Sequence, residues 1–301
     1  MSKCHIFTDC DLDGATSYLV YTWLTKTRPD VTICRVNDLE TTVDTWLLKH
    51  KFSDFDKVYF FDLDTSTSDS LIKKIDQPNV HIYDHHLTHT RNVNKYKNAN
   101  INVIEFISTA RLLYKYRNNF TDNIDLDEHQ LVLILMVDDY DSYQLQVPNS
   151  YELNCLFWNY TGNRLEKFVQ DFSLGFRGFT TPQQNIINFH FKKLTNIKNS
   201  LQIFTATLPV KDSTYKFVST FADSCINEVA DYIISKYSAD VGLVINVKTK
   251  KISFRKGKHC QIDLSKLSQT MCDEAGGHEF AAGGLLCEKF MNITKIFSKI
   301  N

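Results

Sequence analysis

Along the N-terminal part of the chain, short runs of β-branched and aromatic residues alternate with longer stretches whose apolar positions recur at helical spacing. The runs at 4–7, 31–36, 57–62 and 79–84 predict strands, and the stretches at 15–26, 41–49 and 66–75 predict helices. Such alternation implies a parallel sheet covered by helices. A longer apolar segment, LVLILMVDDYDSY at 131–143, reads as a buried helix or strand. Between 182 and 201, Ile186, Ile187, Phe189, Leu194, Ile197 and Leu201 follow helical spacing and predict a connecting helix. Beyond it, a strand at 215–221, a helix near 225–236, a hairpin within 241–257 and a glycine-rich segment at 275–284 predict a second α/β unit. The expected fold class is α/β: a parallel-sheet domain over 1–181, a helical connector over 182–205 and a smaller α/β domain over 206–301.

Ligands of parallel α/β sheets gather beyond the C-terminal ends of the strands. Polar residues crowd there in this sequence: Asp9, Asp11 and Asp13 follow the first strand, Asp62 ends the third, and Asp84-His85-His86 ends the fourth. The apolar segment at 131–143 closes on Asp138, Asp139 and Asp141. One aspartate at a strand end ordinarily caps a helix or forms a turn. Several converging carboxylates repel one another unless cations neutralise them. Oxygen and imidazole donors without cysteine thiolates favour Mn²⁺ or Mg²⁺ over structural zinc. Two such ions side by side would clamp a phosphoryl group and activate a water between them.

Composition narrows the partners. With 34 basic and 35 acidic residues the formal charge is -1, so any binding of a polyanion has to be local. The eight cysteines form no C-x-x-C pair, which suits reduced thiols and a cytoplasmic setting. No apolar run approaches the ~20 residues of a membrane helix, so no membrane partner is expected. Nothing in the sequence addresses oligomeric state.

TDCDLDGATS at 8–17, FFDLD at 60–64, YDHHLTH at 83–89 and VDDYDSY at 137–143 resemble, in order, the four motifs of the DHH phosphoesterase superfamily. AGGHEFAAGG at 275–284 is similar to the Gly-Gly-Gly-His-x-x-Ala-Ala-Gly signature of that family's DHH-associated C-terminal domain. The resemblance spans nearly the whole chain. It implies a metal-dependent phosphoesterase with its active site in the cleft between two domains. It also implies Asp11, Asp13, Asp62, His85 and one of the pair Asp139 and Asp138 as metal ligands, with Asp139 favoured because Tyr143 stands four positions after it. Asp62 would bridge two ions, and His86 would face the scissile phosphate as a donor. Many members carry a histidine where this chain has Phe7. Asp9 could complete that ion's ligands, since the Asp-x-Asp-x-Asp-Gly spacing resembles the RecJ-like exonucleases. Of the flanking histidines, His81 reads as a packed or edge strand residue and His89 as a supporting or solvated one.

In the C-terminal unit, successive glycines allow backbone N–H groups to approach an anion, although such a run is often only a tight turn. Arg255 resembles the family's phosphate-binding arginine, which adds Arg255, Gly276, Gly277 and His278 as substrate-binding residues. Ala275 replaces the first glycine of the triplet. The resemblance implies Mn²⁺, with two ions and Mg²⁺ as an alternative, and an exonuclease acting on single-stranded DNA or short oligonucleotides. Alternatives are hydrolysis of a small nucleotide, such as a cyclic dinucleotide or an adenosine bisphosphate, and a non-catalytic binding scaffold.

Overall fold

The computed structural model describes residues 3–121, 125–210, 213–277, 279–288 and 290. Two compact units divide between Ile187 and Asn188. Unit one contains strands β1 (Cys4–Asp9), β2 (Asp30–Cys34), β3 (Lys57–Phe61), β4 (Val80–Asp84) and β5 (Asn100–Val103). Its helices are α1 (Leu12–Thr25), α2 (Leu39–Leu47), α3 (Asp69–Ile75), α4 (Leu87–Thr90), α5 (Thr109–Lys115), α6 (Glu128–Asp141), α7 (Ser150–Asn159) and α8 (Arg164–Phe172). α9 (Thr181–Ser200) runs across the boundary between the units.

All five strands of unit one are parallel, in the order β2-β1-β3-β4-β5. A parallel sheet is covered on both faces, and the middles of the central strands are accordingly largely apolar and buried. Phe7, Val58, Phe60, Val80 and Ile82 pack with Leu39, Val43 and Trp46 of α2 and Leu71, Ile72 and Ile75 of α3. α1 is buried on every side from Leu12 to Leu24 and packs against α5, α6 and α8. That placement explains its apolar character all round the helix.

Unit two contains β6 (Ile203–Val210), β7 (Ser213–Phe221), α10 (Ile226–Tyr237), β8 (Val241–Asn246), β9 (Lys251–Lys256), α11 (Leu264–Met271), β10 (Asp273–Gly277) and β11 (Ala281–Leu285). The strand order is β10-β11-β9-β8-β7-β6, antiparallel except for the β7–α10–β8 crossover. Along β8 the side chains divide by alternation: Val241, Leu243 and Ile245 join Leu264 and Leu267 of α11, whereas Val244 joins Val229 and Ile233 of α10.

The expected strands and helices of both units are present, with the segment at 131–143 falling in α6. Periodicity did not single out β5 and β6. Both are edge strands with part of their surface in solvent, so their sequences lack the continuous apolar run of a central strand. β6 begins inside the stretch expected as connector. The glycine-rich segment, expected as a loop, forms two paired strands, with Gly276 opposite Gly283 and Gly277 opposite Ala282. Among the described residues no helix is long and apolar enough to cross a membrane.

The turn from β1 into α1 shows how the first acidic motif is built. Asp11 caps α1, its carboxylate accepting from the Gly14 N–H at 2.9 Å, and the Thr8 hydroxyl donates to the Gly14 carbonyl at 2.7 Å. A Cβ on Gly14 would lie 2.4 Å from the Asp9 carbonyl oxygen, so only glycine lets the helix start this close to the strand. An exposed helical Gly→Ala change stabilises by up to about 1 kcal/mol. Gly14→Ala is expected to do the reverse and cost about 1–3 kcal/mol through overpacking, a sign that denaturant melts of wild type and variant will check.

Candidate metal centre

The ends of β1, β3 and β4 bring the sequence-predicted residues together. Asp62 follows β3 with φ +57°, a left-handed conformation that aspartate and asparagine tolerate better than most residues. Its backbone N–H donates to the Tyr83 carbonyl at 3.0 Å, and its carboxylate accepts from the Thr109 hydroxyl at 3.3 Å. Asp13, in the first turn of α1, accepts from the backbone N–H groups of Thr109 at 2.6 Å and Ala110 at 2.9 Å. Those amides open α5, so the helix start holds the carboxylate in place. His85 Nε2 lies 3.2 Å from Asp62 Oδ1 and 3.9 Å from Asp13 Oδ2.

Donor atoms of Asp9, Asp11 and Asp62 lie within 4.8 Å of one another. The same holds for Asp62, His85 and His86, and for Asp13, His85 and Asp141. The clusters therefore overlap, with Asp62 and His85 each in two of them. Asp9 supplies a donor where Phe7 cannot. Phe7 is fully buried, stacked on Phe60 at 4.8 Å with Trp46 against its edge.

Neither Asp139 nor Asp138, the pair expected to supply a ligand, joins these clusters; Asp141 does. Asp139 turns towards the start of α7, accepting from Ser150 Oγ at 2.6 Å and the Gln146 N–H at 2.8 Å. Asp138 binds the Ser108 N–H at 2.7 Å and the Arg111 guanidinium at 2.5 Å, and so anchors the start of α5. Asp141 Oδ2 stands 3.5 Å from His85 Nδ1. Its only sequence signal was membership of the acidic run closing α6.

Burial and like charge dominate the electrostatics. Burial, then repulsion from Asp13 and Asp11, pushes the Asp62 carboxyl well above the usual carboxylate range. Burial and Asp141 do the same to Asp13. Burial and Asp11 push Asp9 up to about 6, and burial pushes Asp141 to about 6 against the opposing effect of His85. A buried set of oxygens held by hydrogen bonds yet starved of positive charge fits divalent cations. Burial and Asp9 also raise the neighbouring Cys10 thiol, away from the thiolate that zinc would select.

Asp84 lies behind the pair of histidines and is fully buried. His86 Nδ1 donates to Asp84 Oδ1 and His89 Nδ1 to Asp84 Oδ2, each at 2.7 Å. Burial alone would raise the Asp84 carboxyl, but the two imidazoles hold it far below its ordinary range. Burial would lower His86, but the Asp84 hydrogen bond and charge win and push it up to about 9. His89 is fully buried in this network and so is a supporting residue. His81 sits in β4 with its ring 5.2 Å from that of Tyr59, and burial pushes it down to about 4.

In unit two, Arg255 on β9 stands opposite Ala281 of β11, with its guanidinium donating to Asn227 Oδ1 at 2.6 Å. Gly276 has open space where a Cβ would be. Gly277 has φ +133°, and a Cβ there would meet the Ala281 carbonyl oxygen at 2.5 Å. His278 lies outside the described residues.

The sequence matches no family model and no curated protein. Several solved structures are similar over nine-tenths or more of both chains. The pGpG-specific phosphodiesterase PggH from Vibrio cholerae aligns with a TM-score of 0.62 at 14% identity, covering 97% of each chain. An exopolyphosphatase-related protein from Bacteroides fragilis gives 0.54 at 12% identity, over 97% of this chain and 90% of that one. The exonuclease RecJ bound to manganese gives 0.53 at 13% identity, over 99% of this chain and 91% of that one. This chain thus shares the two-unit α/β fold of these structures, with its acidic and histidine clusters at the strand ends of unit one.

Proposed function

We propose that this chain is a metal-dependent phosphodiester hydrolase, an exonuclease that releases mononucleotides from single-stranded DNA or short oligonucleotides. The observation that carries the reading is the position of Asp62. Its carboxylate belongs at once to the Asp9–Asp11 cluster and to the His85–His86 cluster, so two neighbouring cations would share it. Asp11, Asp13, Asp62 and His85 form the ligand set, with Asp9 and Asp141 completing it; Mn²⁺, or Mg²⁺ in its place, matches these oxygen and imidazole donors. Bound there, the ions supply Lewis acidity towards a phosphoryl oxygen and a water made easier to deprotonate.

The chain's own groups do the rest. Asp84 fixes the direction of His86 by accepting a hydrogen bond from its Nδ1–H and favours the charged imidazolium, whose Nε2–H would donate to a phosphate or leaving-group oxygen. Asp13, held by two backbone amides, keeps its place whatever binds in front of it. Arg255, Gly276, Gly277 and His278 would hold a substrate phosphate. Eight free thiols suit a cytoplasmic setting.

A second reading, hydrolysis of a small nucleotide such as a cyclic dinucleotide or an adenosine bisphosphate, draws support from the likeness to a pGpG-specific phosphodiesterase. End-labelled DNA and RNA oligonucleotides of increasing length, incubated with Mn²⁺, separate the two. Stepwise mononucleotide release that His85→Ala abolishes is the expected result. Turnover of small nucleotides alone would favour the second reading, and turnover of nothing would leave the binding scaffold.

Metal binding has a readout of its own. Mn²⁺ must displace the protons that Asp9 and Asp141 hold up to about 6, so affinity rises with pH. The Mn²⁺-induced rise in Tm is expected to be small at about pH 5 and large at about pH 8. Asp62→Asn, which suits the left-handed backbone, should melt no lower than wild type without metal, because it removes a repelled buried charge. It should also lose most of the Mn²⁺ response, a comparison that differential scanning fluorimetry makes directly.

A further inference from the structure

We propose that a groove leading from the Asp9–Asp11 edge of the metal centre along α8 holds the stretch of a single-stranded oligonucleotide next to the scissile phosphate, with Arg164 and then Arg28 gripping its successive phosphates. The proposal rests on the hydrolase reading and names the substrate class and its path. Its starting point is a cavity of about 250 Å³ whose walls include Asp9, Asp11, Phe157, Asn163 and Arg164. Two of those walls are carboxylates of the metal centre, so a ligand there adjoins the cations directly. The volume lies below the roughly 300 Å³ of pockets for drug-sized ligands and suits one nucleoside.

The cavity does not end there. Ile33, Asn163 and Leu165 also line a second cavity of about 660 Å³, which reaches Tyr18 and Arg28. Together the two make a track longer than a mononucleotide needs. Both arginines on it are uncommitted: neither the Arg164 nor the Arg28 guanidinium has a carboxylate or hydrogen-bonding partner among the described residues, whereas Arg111 is paired with Asp138. Arg164 instead lies against aromatic rings, 4.6 Å from the centre of Trp158 and 5.9 Å from that of Phe157. A guanidinium backed by an indole keeps its N–H donors at the edge for phosphate and its outer face for a base. Trp158 is 44% exposed, unlike Trp23 and Trp46, which are buried. Glu166 lines the second cavity as well, and its charge would keep a polyanion to the Arg28 side. In a chain of net charge -1, two unpaired arginines in line with an acidic metal centre form a local path for a backbone that the protein as a whole does not attract.

Calorimetric titration of the full chain, with Ca²⁺ in place of Mn²⁺, by mono-, di-, tri- and pentanucleotides of thymidylate and uridylate tests the groove. Wild-type affinity should climb with each added nucleotide up to the trinucleotide. Arg164→Gln should weaken the dinucleotide and all longer oligomers about tenfold. Arg28→Gln should weaken the tri- and pentanucleotide about tenfold more than the dinucleotide, and each change should reduce the slope of log affinity against log salt by about 0.7. Arg→Lys at either position, which keeps the charge, should recover most of the loss. Wild-type affinities in both Gln variants, or a loss independent of length in Arg28→Gln, would overturn the proposal. Hydrolysis of the same oligomers in Mn²⁺ keeps the two readings apart. Length-dependent binding without turnover removes the hydrolase and leaves the groove; turnover with no length-dependent loss in the variants removes the groove and leaves the hydrolase.

Discussion

Mutual repulsion among buried carboxylates is the constraint around which unit one is arranged. Asp13 and Asp62 are almost wholly out of water and close to Asp11 and Asp141, a combination that neutral pH opposes. The fold tolerates it because hydrogen bonds fix Asp13, Asp62 and Asp11. The first amides of α5 hold Asp13, the Thr109 hydroxyl meets Asp62, and the Gly14 amide meets Asp11. α5 itself is placed by Asp138, whose salt link to Arg111 and bond to the Ser108 amide tie its start to α6. The acids outside the clusters thus position those within them.

Much of this could be read from the chain. A parallel sheet with polar strand ends follows from alternation and from the placement of Asp9, Asp62 and Asp84–His86, because strand periodicity and the geometry of α/β sheets are local rules. Which aspartate of the run 138–141 turns inward is a different kind of question. On a helix, Asp138 and Asp141 are three residues apart and share a face, whereas Asp139 points away. Choosing 141 over 138 required knowing that Arg111 and the Ser108 amide already occupy 138, and those contacts join residues 27 and 30 positions distant in sequence. The network of Asp84 with His86 and His89 was visible only in part. For His89 a supporting and a solvated role both stayed open, because nothing local shows that each oxygen of Asp84 takes its own histidine. Arg164 gave no signal at all, since an uncommitted arginine is defined by partners it does not have.

Asp62 is doubly determined. Its carboxylate joins two of the clusters, and φ +57° is a conformation that asparagine, glycine and aspartate adopt more readily than other residues. Few positions in a chain are restricted by backbone and chemistry together.

Phe7 carries the most far-reaching consequence. Its ring lies flat on Phe60 and edge-on to Trp46 and His5, so the position at which the sequence resemblance implied an imidazole is here part of an aromatic lattice. Restoring histidine would set an unpartnered ring nitrogen among apolar neighbours and loosen the sheet from α2. Any lineage that exchanges one arrangement for the other has to rebuild the interior first. The donors available at the end of β1 are in this way set by how tightly a hydrophobic core is packed.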